Sequence, residues 1–318
     1  MKEVTAGIDI GGTNTVLGLV DREGEILAEG RLITTDYPEI GNFITALGSA
    51  LKDLLDRNPE LKLKAAGVGA PDANYYKGTI EHAPNLAWKG IVPFASMLEK
   101  ETGVPIYLTN DANAAAMGEM IFGAAKGMKD FIVLTLGTGL GSGIVINGRM
   151  VYGHTGFAGE LGHTIVVRGG RACGCGRRGC LETYASASGL VKTALYLMSD
   201  MSEASVLRDI APSSLTSREI ARAAAENDPV AVRALDFTAE KLAFGIVNAV
   251  CFSSPEAVFL FGGLAQAGEA LFVPVRKYVD AMVQHLFKGT FSILPSGVRE
   301  SNAAVLGSSA LAWSEMEK

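Results

Sequence analysis

The chain has 318 residues, 48% of them hydrophobic and 19% charged, with a net charge of −6. That length allows two domains with real cores, and the composition is that of a globular protein. The acidic balance argues against non-specific nucleic-acid binding, no apolar run reaches the length of a membrane span, and the N-terminus shows no signal-peptide core, so a cytoplasmic protein is expected.

Residues 4–10 read as a buried strand. A tight turn follows, Asp9-Ile10-Gly11-Gly12-Thr13-Asn14, and residues 15–20 return as a second strand. A turn at 21–24 opens a third strand over 25–28, which makes an antiparallel meander with a glycine-rich first turn. Glycines there let backbone N–H groups point at phosphate oxygens, Thr13 adds a hydroxyl, and Asp9 can hold Mg²⁺ directly or through water. A Gly-Gly hairpin turn without a ligand is the plain alternative. It is not a Walker loop, because no Gly-Lys-Ser/Thr follows and the loop joins two strands.

The stripe Ile40, Ile44, Leu47, Leu51, Leu54 and Leu55 predicts a helix over 40–55. Residues 65–70 read as a buried strand running into Gly69-Ala70-Pro71. An irregular segment over 72–88 holds Asn85, which suits a sugar hydroxyl as well as it suits a turn. A helix over 94–102 ends at Gly103, and a strand over 104–108 runs into Thr109-Asn110-Asp111-Ala112-Asn113. A helix over 114–122 follows. A carboxylate where a strand meets a helix N-terminus is a favoured functional position; helix capping is the other explanation of Asp111.

The opening pattern then returns. Residues 131–136 form a strand, 137–143 a glycine-rich turn, and 143–146 a returning strand; Asn147-Gly148 marks a hairpin, and 149–152 complete the meander. A strand–glycine loop–strand unit therefore opens both halves of the chain. Two such units across a cleft can grip one polyphosphate, and the repeat turns two weak loops into one coherent site.

Residues 159–182 carry Gly-Glu-Leu-Gly-His and then Cys173-Gly-Cys175-Gly-Arg-Arg-Gly-Cys180-Leu-Glu182. Three thiols and one imidazole are what a tetrahedral structural Zn²⁺ takes, and the set His163, Cys173, Cys175 and Cys180 leaves no open position. A disulfide framework would need an oxidising compartment, and Cys-x-Cys residues are poorly placed to bridge each other. Glu160 and Glu182 flank the ligands, where a loop shaped by the metal would offer them to a polyhydroxylated ligand. Cys251 reads as a small core residue.

A helix is expected over 183–198, and Thr216-Ser217-Arg218-Glu219 is a capping box that opens another. Asp228-Pro229 starts a helix that runs to Cys251. A strand over 257–261 ends in Gly262-Gly263-Leu264-Ala265. Helix over 268–287, a short strand over 292–294 and a helix over 302–313 complete the chain.

Gly-Glu-x-Gly-His followed by Cys-x-Cys-Gly-x-x-Gly-Cys-x-Glu resembles the signature of the ROK family, which comprises bacterial sugar kinases, sugar-responsive repressors and relatives. The two glycine turns, Asn110-Asp111 and the late Gly262-Gly263 stand in the family's order, from Asp9 to the last helix. The resemblance implies an α/β fold of the duplicated, ribonuclease-H-like kind (actin-like ATPase and sugar kinase), with two domains and a central cleft. It implies a smaller domain of residues 1–115 plus 302–318, and a larger one of residues 116–301 that carries the zinc loop.

The resemblance further implies an ATP-dependent hexose kinase that phosphorylates the 6-hydroxyl of glucose, with Asp111 as general base. Gly69, Asn85, Asn110, Asp111, Glu160, His163 and Glu182 would bind the sugar, His163 holding zinc by one ring nitrogen and the sugar by the other. Asp9, Gly11, Gly12, Thr13, Gly137, Thr138 and Gly139 would take the phosphates and Mg²⁺, and Gly262 and Gly263 the adenosine. ATP, Mg²⁺ and structural Zn²⁺ are the implied cofactors, and a homodimer the implied assembly, with no nucleic-acid or membrane partner. Kinases for N-acetylglucosamine or N-acetylmannosamine share this set and stay open, as does a dual-specificity enzyme. A sugar-responsive repressor is disfavoured, because the first strand begins at Val4 and leaves no room for a helix-turn-helix. Three residues depart from the family pattern: Asn14, where lysine is frequent; Thr109, where glutamate is; and Asp72, where glycine is. They bear on substrate detail.

Overall fold

The computed structural model describes residues 1–298 and 300–318. In chain order the elements are β1 (Lys2–Ile10), β2 (Asn14–Val20), β3 (Ile26–Ile33), α1 (Ile40–Arg57), β4 (Leu61–Gly69), β5 (Ala73–Asn74), β6 (Thr79–Glu81), β7 (Ile91–Val92), α2 (Phe94–Thr102), β8 (Ile106–Thr109) and α3 (Asp111–Ile121). Then come β9 (Phe131–Leu136), β10 (Leu140–Ile146), β11 (Arg149–Met150), α4 (Glu182–Ala185), α5 (Ala187–Asp200), α6 (Ser217–Ala225) and α7 (Pro229–Ser253). The last elements are β12 (Ala257–Phe261), α8 (Glu269–Met282), β13 (Ser292–Pro295) and α9 (Glu300–Met316).

Packing divides the chain into a first unit of Met1–Met128, Met150–Ala158 and Ser296–Lys318, and a second of Lys129–Arg149 and Gly159–Pro295. The division differs from the 115/116 boundary expected from sequence. Gly118 of α3 lies against Gly307 of α9, so α3 belongs whole to the first unit.

Each unit is built on a five-stranded sheet, ordered β3-β2-β1-β4-β8 in the first and β11-β10-β9-β12-β13 in the second. The pairings correspond. β1 is antiparallel to β2 and parallel to β4, and β4 is parallel to β8. Likewise β9 is antiparallel to β10 and parallel to β12, which is parallel to β13. This is the duplication that the two strand–glycine loop–strand patterns predict.

In the first unit α1 and α2 pack on one face of the sheet around Phe43, Leu47, Phe94 and Leu98, all buried. The Phe43 ring lies 4.6 Å from the Trp88 ring and 6.3 Å from the Phe94 ring. The other face takes α3 and α9. The strands between read as nearly unbroken apolar runs because both their faces are covered. The approach of α9 is close enough to require glycine: a Cβ on Gly67 would overlap the Ser308 carbonyl oxygen. In the second unit Ile132, Leu134, Val258 and Leu260 of the sheet join Leu235, Leu242 and Ile246 of α7 in one core. Asp228 caps α7 by accepting from the N–H groups of Val230 and Ala231, with Pro229 in the first turn.

Three helix expectations are corrected. The helix expected over 183–198 is two helices, because Ser186 is extended (φ −113, ψ 172) and its hydroxyl caps α5 by accepting from Gly189 N–H. The helix expected over 268–287 ends at Met282, where Val283 turns to φ −68, ψ 140. The helix expected from 114 begins at Asp111. Among the described residues no helix is long and apolar enough to cross a membrane.

Candidate active site and metal loop

In the first unit three parallel strands, β1, β4 and β8, end side by side. Asp9 pairs with Gly69, and Gly69 with Thr109. The turns that leave these ends carry the candidate residues, which is where ligands of open α/β sheets bind. Asn110 is the cap of α3: its Oδ1 accepts from Asn113 N–H at 2.7 Å. Asp111 is therefore the first helical residue and not the cap. Its Oδ1 accepts from Ala112 N–H at 2.8 Å. The carboxyl keeps solvent contact but is crowded by protein atoms, and that desolvation raises its pKa against the opposing pull of backbone N–H groups.

Asp9 stands beside it. Burial, and after it the charge of Asp111, raises the Asp9 pKa to about 6. A Cβ placed on Gly69 would lie 3.0 Å from Ser308 Oγ and 3.7 Å from Asp9 Oδ1, so these two oxygens share one side of β4. Ser308 Oγ is buried without a hydrogen-bond partner among the described residues. In the first glycine turn Gly11 N–H closes on the Asn14 carbonyl at 2.9 Å, and the Thr13 carbonyl accepts from Thr34 N–H at 2.8 Å. Gly11 is thus engaged within the turn, and Gly12 and Thr13 stand at its tip. The Asn85 backbone carbonyl lies against Gly12, which brings Asn85 to the same turn.

The second unit assembles the other candidates. Gly137, Thr138 and Gly139 link β9 to β10. Gly262 and Gly263 follow β12, and Leu264 N–H donates to the Leu136 carbonyl at 3.1 Å, which sets the two loops side by side. Glu182 Oε2 accepts from Leu140 N–H at 3.1 Å.

The candidate metal-ligand cluster lies within one loop, residues 163–180. His163 Nδ1 lies 3.6 Å from Cys173 Sγ, and Cys175 Sγ lies 3.7 Å from Cys180 Sγ. The four donor atoms fall within 4.8 Å of one another. A tetrahedral Zn²⁺ with Zn–S bonds of about 2.3 Å holds its sulfurs about 3.8 Å apart. The donor set and its spacing therefore fit that ion. His163 Nε2, the other ring nitrogen, lies 3.9 Å from Glu160 Oε2. Hydrogen bonds from the Arg177 backbone and guanidinium lower the Cys175 pKa, which favours the thiolate a metal requires. Burial raises the pKa of Cys173 and of Cys180. Cys251, expected in the core, is exposed at the C-terminal end of α7.

Sequence reasoning missed the residues that brace this loop. Arg171 donates to the carbonyls of Thr183 (2.9 Å) and Gly189 (3.2 Å) and to Thr193 Oγ1 (3.0 Å), with its guanidinium 4.7 Å from the Tyr184 ring centre. Arg177 donates to the His163 carbonyl at 2.8 Å. An arginine among glycines gives no local sign of such partners. Ser142, read from sequence as part of the 137–143 turn, is a buried residue of β10, which begins at Leu140.

The ROK family model matches residues 5–315. A glucokinase of Halalkalibacterium halodurans is 35% identical over 280 residues, covering 86% of this chain and 84% of the relative. A xylose repressor of Caldicellulosiruptor bescii is 32% identical over 321 residues, covering 98% of this chain and 78% of the relative. Among solved structures, a ROK family glucokinase from Streptomyces griseus in complex with glucose and AMPPNP superposes with a TM-score of 0.80 at 34% identity, covering 97% of this chain and 98% of that one. The two-domain α/β architecture is thus the actin-like ATPase fold of ROK sugar kinases.

Proposed function

As the chain belongs to the ROK family and is a hexose kinase, we propose that glucose is its acceptor and ATP, carried with Mg²⁺, its phosphoryl donor. The observation that carries the reading is the division of labour at the start of α3. Asn110 does the capping, which leaves Asp111 at the strand–helix junction with a raised pKa. A base whose pKa lies nearer the working pH takes a proton more effectively in the transition state.

In this reading the sugar 6-oxygen attacks the γ-phosphorus of ATP in line. The O6–P bond forms as the bond from the γ-phosphorus to the β-phosphate oxygen breaks, ADP leaves, and the hydroxyl proton passes to the Asp111 carboxylate. Asn110 uses its carbonyl oxygen in the cap, so its NH₂ donates to a sugar hydroxyl. Glu160 and Glu182 accept from ring hydroxyls, and His163 donates through Nε2. Gly69 and Asn85 border the sugar position. Gly12 and Thr13 in one turn and Gly137, Thr138 and Gly139 in the other hold phosphates, with Gly262 and Gly263 against adenosine.

The hard oxygens of Asp9 and Ser308 would hold Mg²⁺, which would supply positive charge against the phosphates. His163, Cys173, Cys175 and Cys180 would hold Zn²⁺, which would serve structure and not the transfer by fixing the loop and the His163 tautomer. Glucose is favoured over N-acetylated hexoses by the glucokinase relatives. A cytoplasmic homodimer remains part of the proposal.

A coupled ADP-release assay with Mg·ATP across glucose, N-acetylglucosamine, N-acetylmannosamine, mannose and fructose tests the substrate. Glucose should lead by about tenfold or more in kcat/KM, about 1.4 kcal/mol of transition-state preference. An N-acetyl sugar in the lead overturns glucose and keeps the mechanism. Asp111→Asn should lose about 10²- to 10⁴-fold in kcat while still binding ADP; activity equal to the parent would overturn the general-base role.

A further inference from the structure

The glycine loop between β9 and β10 is held from outside itself. Its Gly137 carbonyl accepts from Ala187 N–H at 2.9 Å. Its Thr138 carbonyl accepts from the Ser188 hydroxyl at 2.7 Å. Leu140 N–H donates to Glu182 Oε2 at 3.1 Å. Two residues further on, the Ser142 hydroxyl donates to the Gly159 carbonyl and accepts from Leu161 N–H, the latter at 3.2 Å. The approach is also steric, because a Cβ on Gly162 would overlap the Leu140 carbonyl oxygen.

All of these outside partners come from two short segments, 159–162 and 182–188. Those segments are the two flanks of the metal loop, whose ligands run from His163 to Cys180. Glu182 is the most direct link. One carboxylate oxygen, Oε1, lies 3.7 Å from Cys173 Sγ, while the other holds Leu140 N–H. The flanks are joined to each other by the Leu181 N–H bond to the Thr164 carbonyl at 2.9 Å, and across the loop by the four ligands.

We propose that the metal loop is the scaffold of the nucleotide-phosphate loop, so that metal occupancy and nucleotide binding are thermodynamically coupled, with Glu182 and Ser188 as the positioning residues that carry the coupling. This rests on the reading that the 137–139 turn binds nucleotide phosphates and that the four-ligand set binds Zn²⁺. Without the ion, residues 163–180 lose the four-ligand cross-link and keep only hydrogen bonds such as Leu181 N–H to Thr164 and Val166 N–H to the Gly179 carbonyl, so the spacing of the two flanks is held less firmly. The glycine loop then has to be ordered when the nucleotide arrives, and that ordering cost weakens binding. The coupling is separate from sugar recognition, since it acts through the backbone of the 137–142 loop in the absence of any sugar.

The test is calorimetric binding of ADP, with magnesium in excess and no sugar, to zinc-loaded and chelator-stripped protein. Stripping should weaken ADP about tenfold, within the usual range of such couplings. Ser188→Ala and Glu182→Gln should each weaken ADP a few-fold with full zinc content retained, and Ser188→Ala should raise the KM for ATP with kcat little changed.

Coupling is reciprocal, so saturating ADP should tighten zinc, measured against a competing chelator, by the same factor as stripping weakens ADP. That measurement keeps the metal-loaded protein as its reference and holds even where the stripped chain unfolds. Equal ADP affinity with and without zinc, or a zinc affinity unmoved by ADP, overturns the proposal. A zinc-loaded parent that binds no ADP overturns instead the nucleotide reading beneath it.

Discussion

Asp9→Asn should make the protein more stable and less active, and the stability gain should depend on pH. The native carboxyl titrates near pH 6 and the free one near 3.8, because burial and the neighbouring Asp111 charge both disfavour the anion. The folded chain therefore binds the Asp9 proton more tightly than the unfolded chain does. Stability from this group is intact below about pH 3.8, falls as pH rises, and is lost above about pH 6. The shift from 3.8 to about 6 corresponds to about 3 kcal/mol at neutral and higher pH. Asparagine has nearly the same shape and no charge, so Asp9→Asn should gain about 2.4 kcal/mol over the parent at pH 8 relative to the same comparison at pH 4.

Urea unfolding followed by tryptophan fluorescence is the suitable assay. Both tryptophans, Trp88 and Trp313, are buried in the unit that holds Asp9, so the signal reports that unit alone. A difference between variant and parent that stays flat from pH 4 to pH 8 would refute the argument. Kinase activity should fall in the same variant, as expected where a functional site retains charge at a cost to stability.

Gly67→Ala should cost about 3 kcal/mol, the upper end of overpacking penalties, because the new methyl overlaps the Ser308 carbonyl, which is backbone and has no rotamer to turn away; the urea midpoint of the first unit reads it. Arg171→Ala should cost the second unit about 1–3 kcal/mol by taking the guanidinium donor from the Thr183 carbonyl, while the Gly189 carbonyl keeps the Thr193 hydroxyl. Arg171→Lys should recover only part, since an ammonium lacks the fork that serves three acceptors. Cys175→Ser should lower the zinc retained against a competing chelator from one equivalent to none, read with a colorimetric dye; a variant with full zinc would exclude Cys175 as a ligand.

The sequence carried those parts of the site whose chemistry is local. Gly11-Gly12-Thr13 and Gly137-Thr138-Gly139 each sit between two apolar runs, and the structure puts both in strand–strand turns, with Asp9 and Ile10, expected in the first turn, at the end of β1. The cysteine spacing located a four-donor cluster. What stayed hidden depends on contacts far along the chain. Residues 149–152 read as a strand, but only Arg149 and Met150 pair. Residues 150–158 instead belong to the first unit, where Tyr152 stacks on Tyr75 at 3.9 Å and Asn74 Nδ2 donates to the Thr155 carbonyl at 2.9 Å. Nothing in a local pattern names Tyr75 or Asn74 as partners 77 or 81 residues away. Ser186 hid differently. It lies in an apolar-periodic run, and its capping role follows from the extended backbone that α4 and α5 impose on it.

The two glycine turns occupy equivalent places in two sheets of one topology, yet they are stabilised differently. The first is closed largely within its own meander: Gly11 N–H on Asn14, and Thr34 N–H of the strand-end turn on Thr13. The second takes its bonds from Glu182, Ala187 and Ser188, beyond the metal loop. A duplicated fold does not require this asymmetry, and it separates what metal loss can do to each half. On the proposed coupling, removing the ion would leave every bond of the first turn in place and loosen the flanks that hold the second. Hydrogen exchange compared with and without zinc should therefore deprotect Leu140 and Leu161 amides while those of Gly11 and Thr34 keep their protection. Equal deprotection of both turns would mean that the metal acts on global stability and not through the flanks of its own loop.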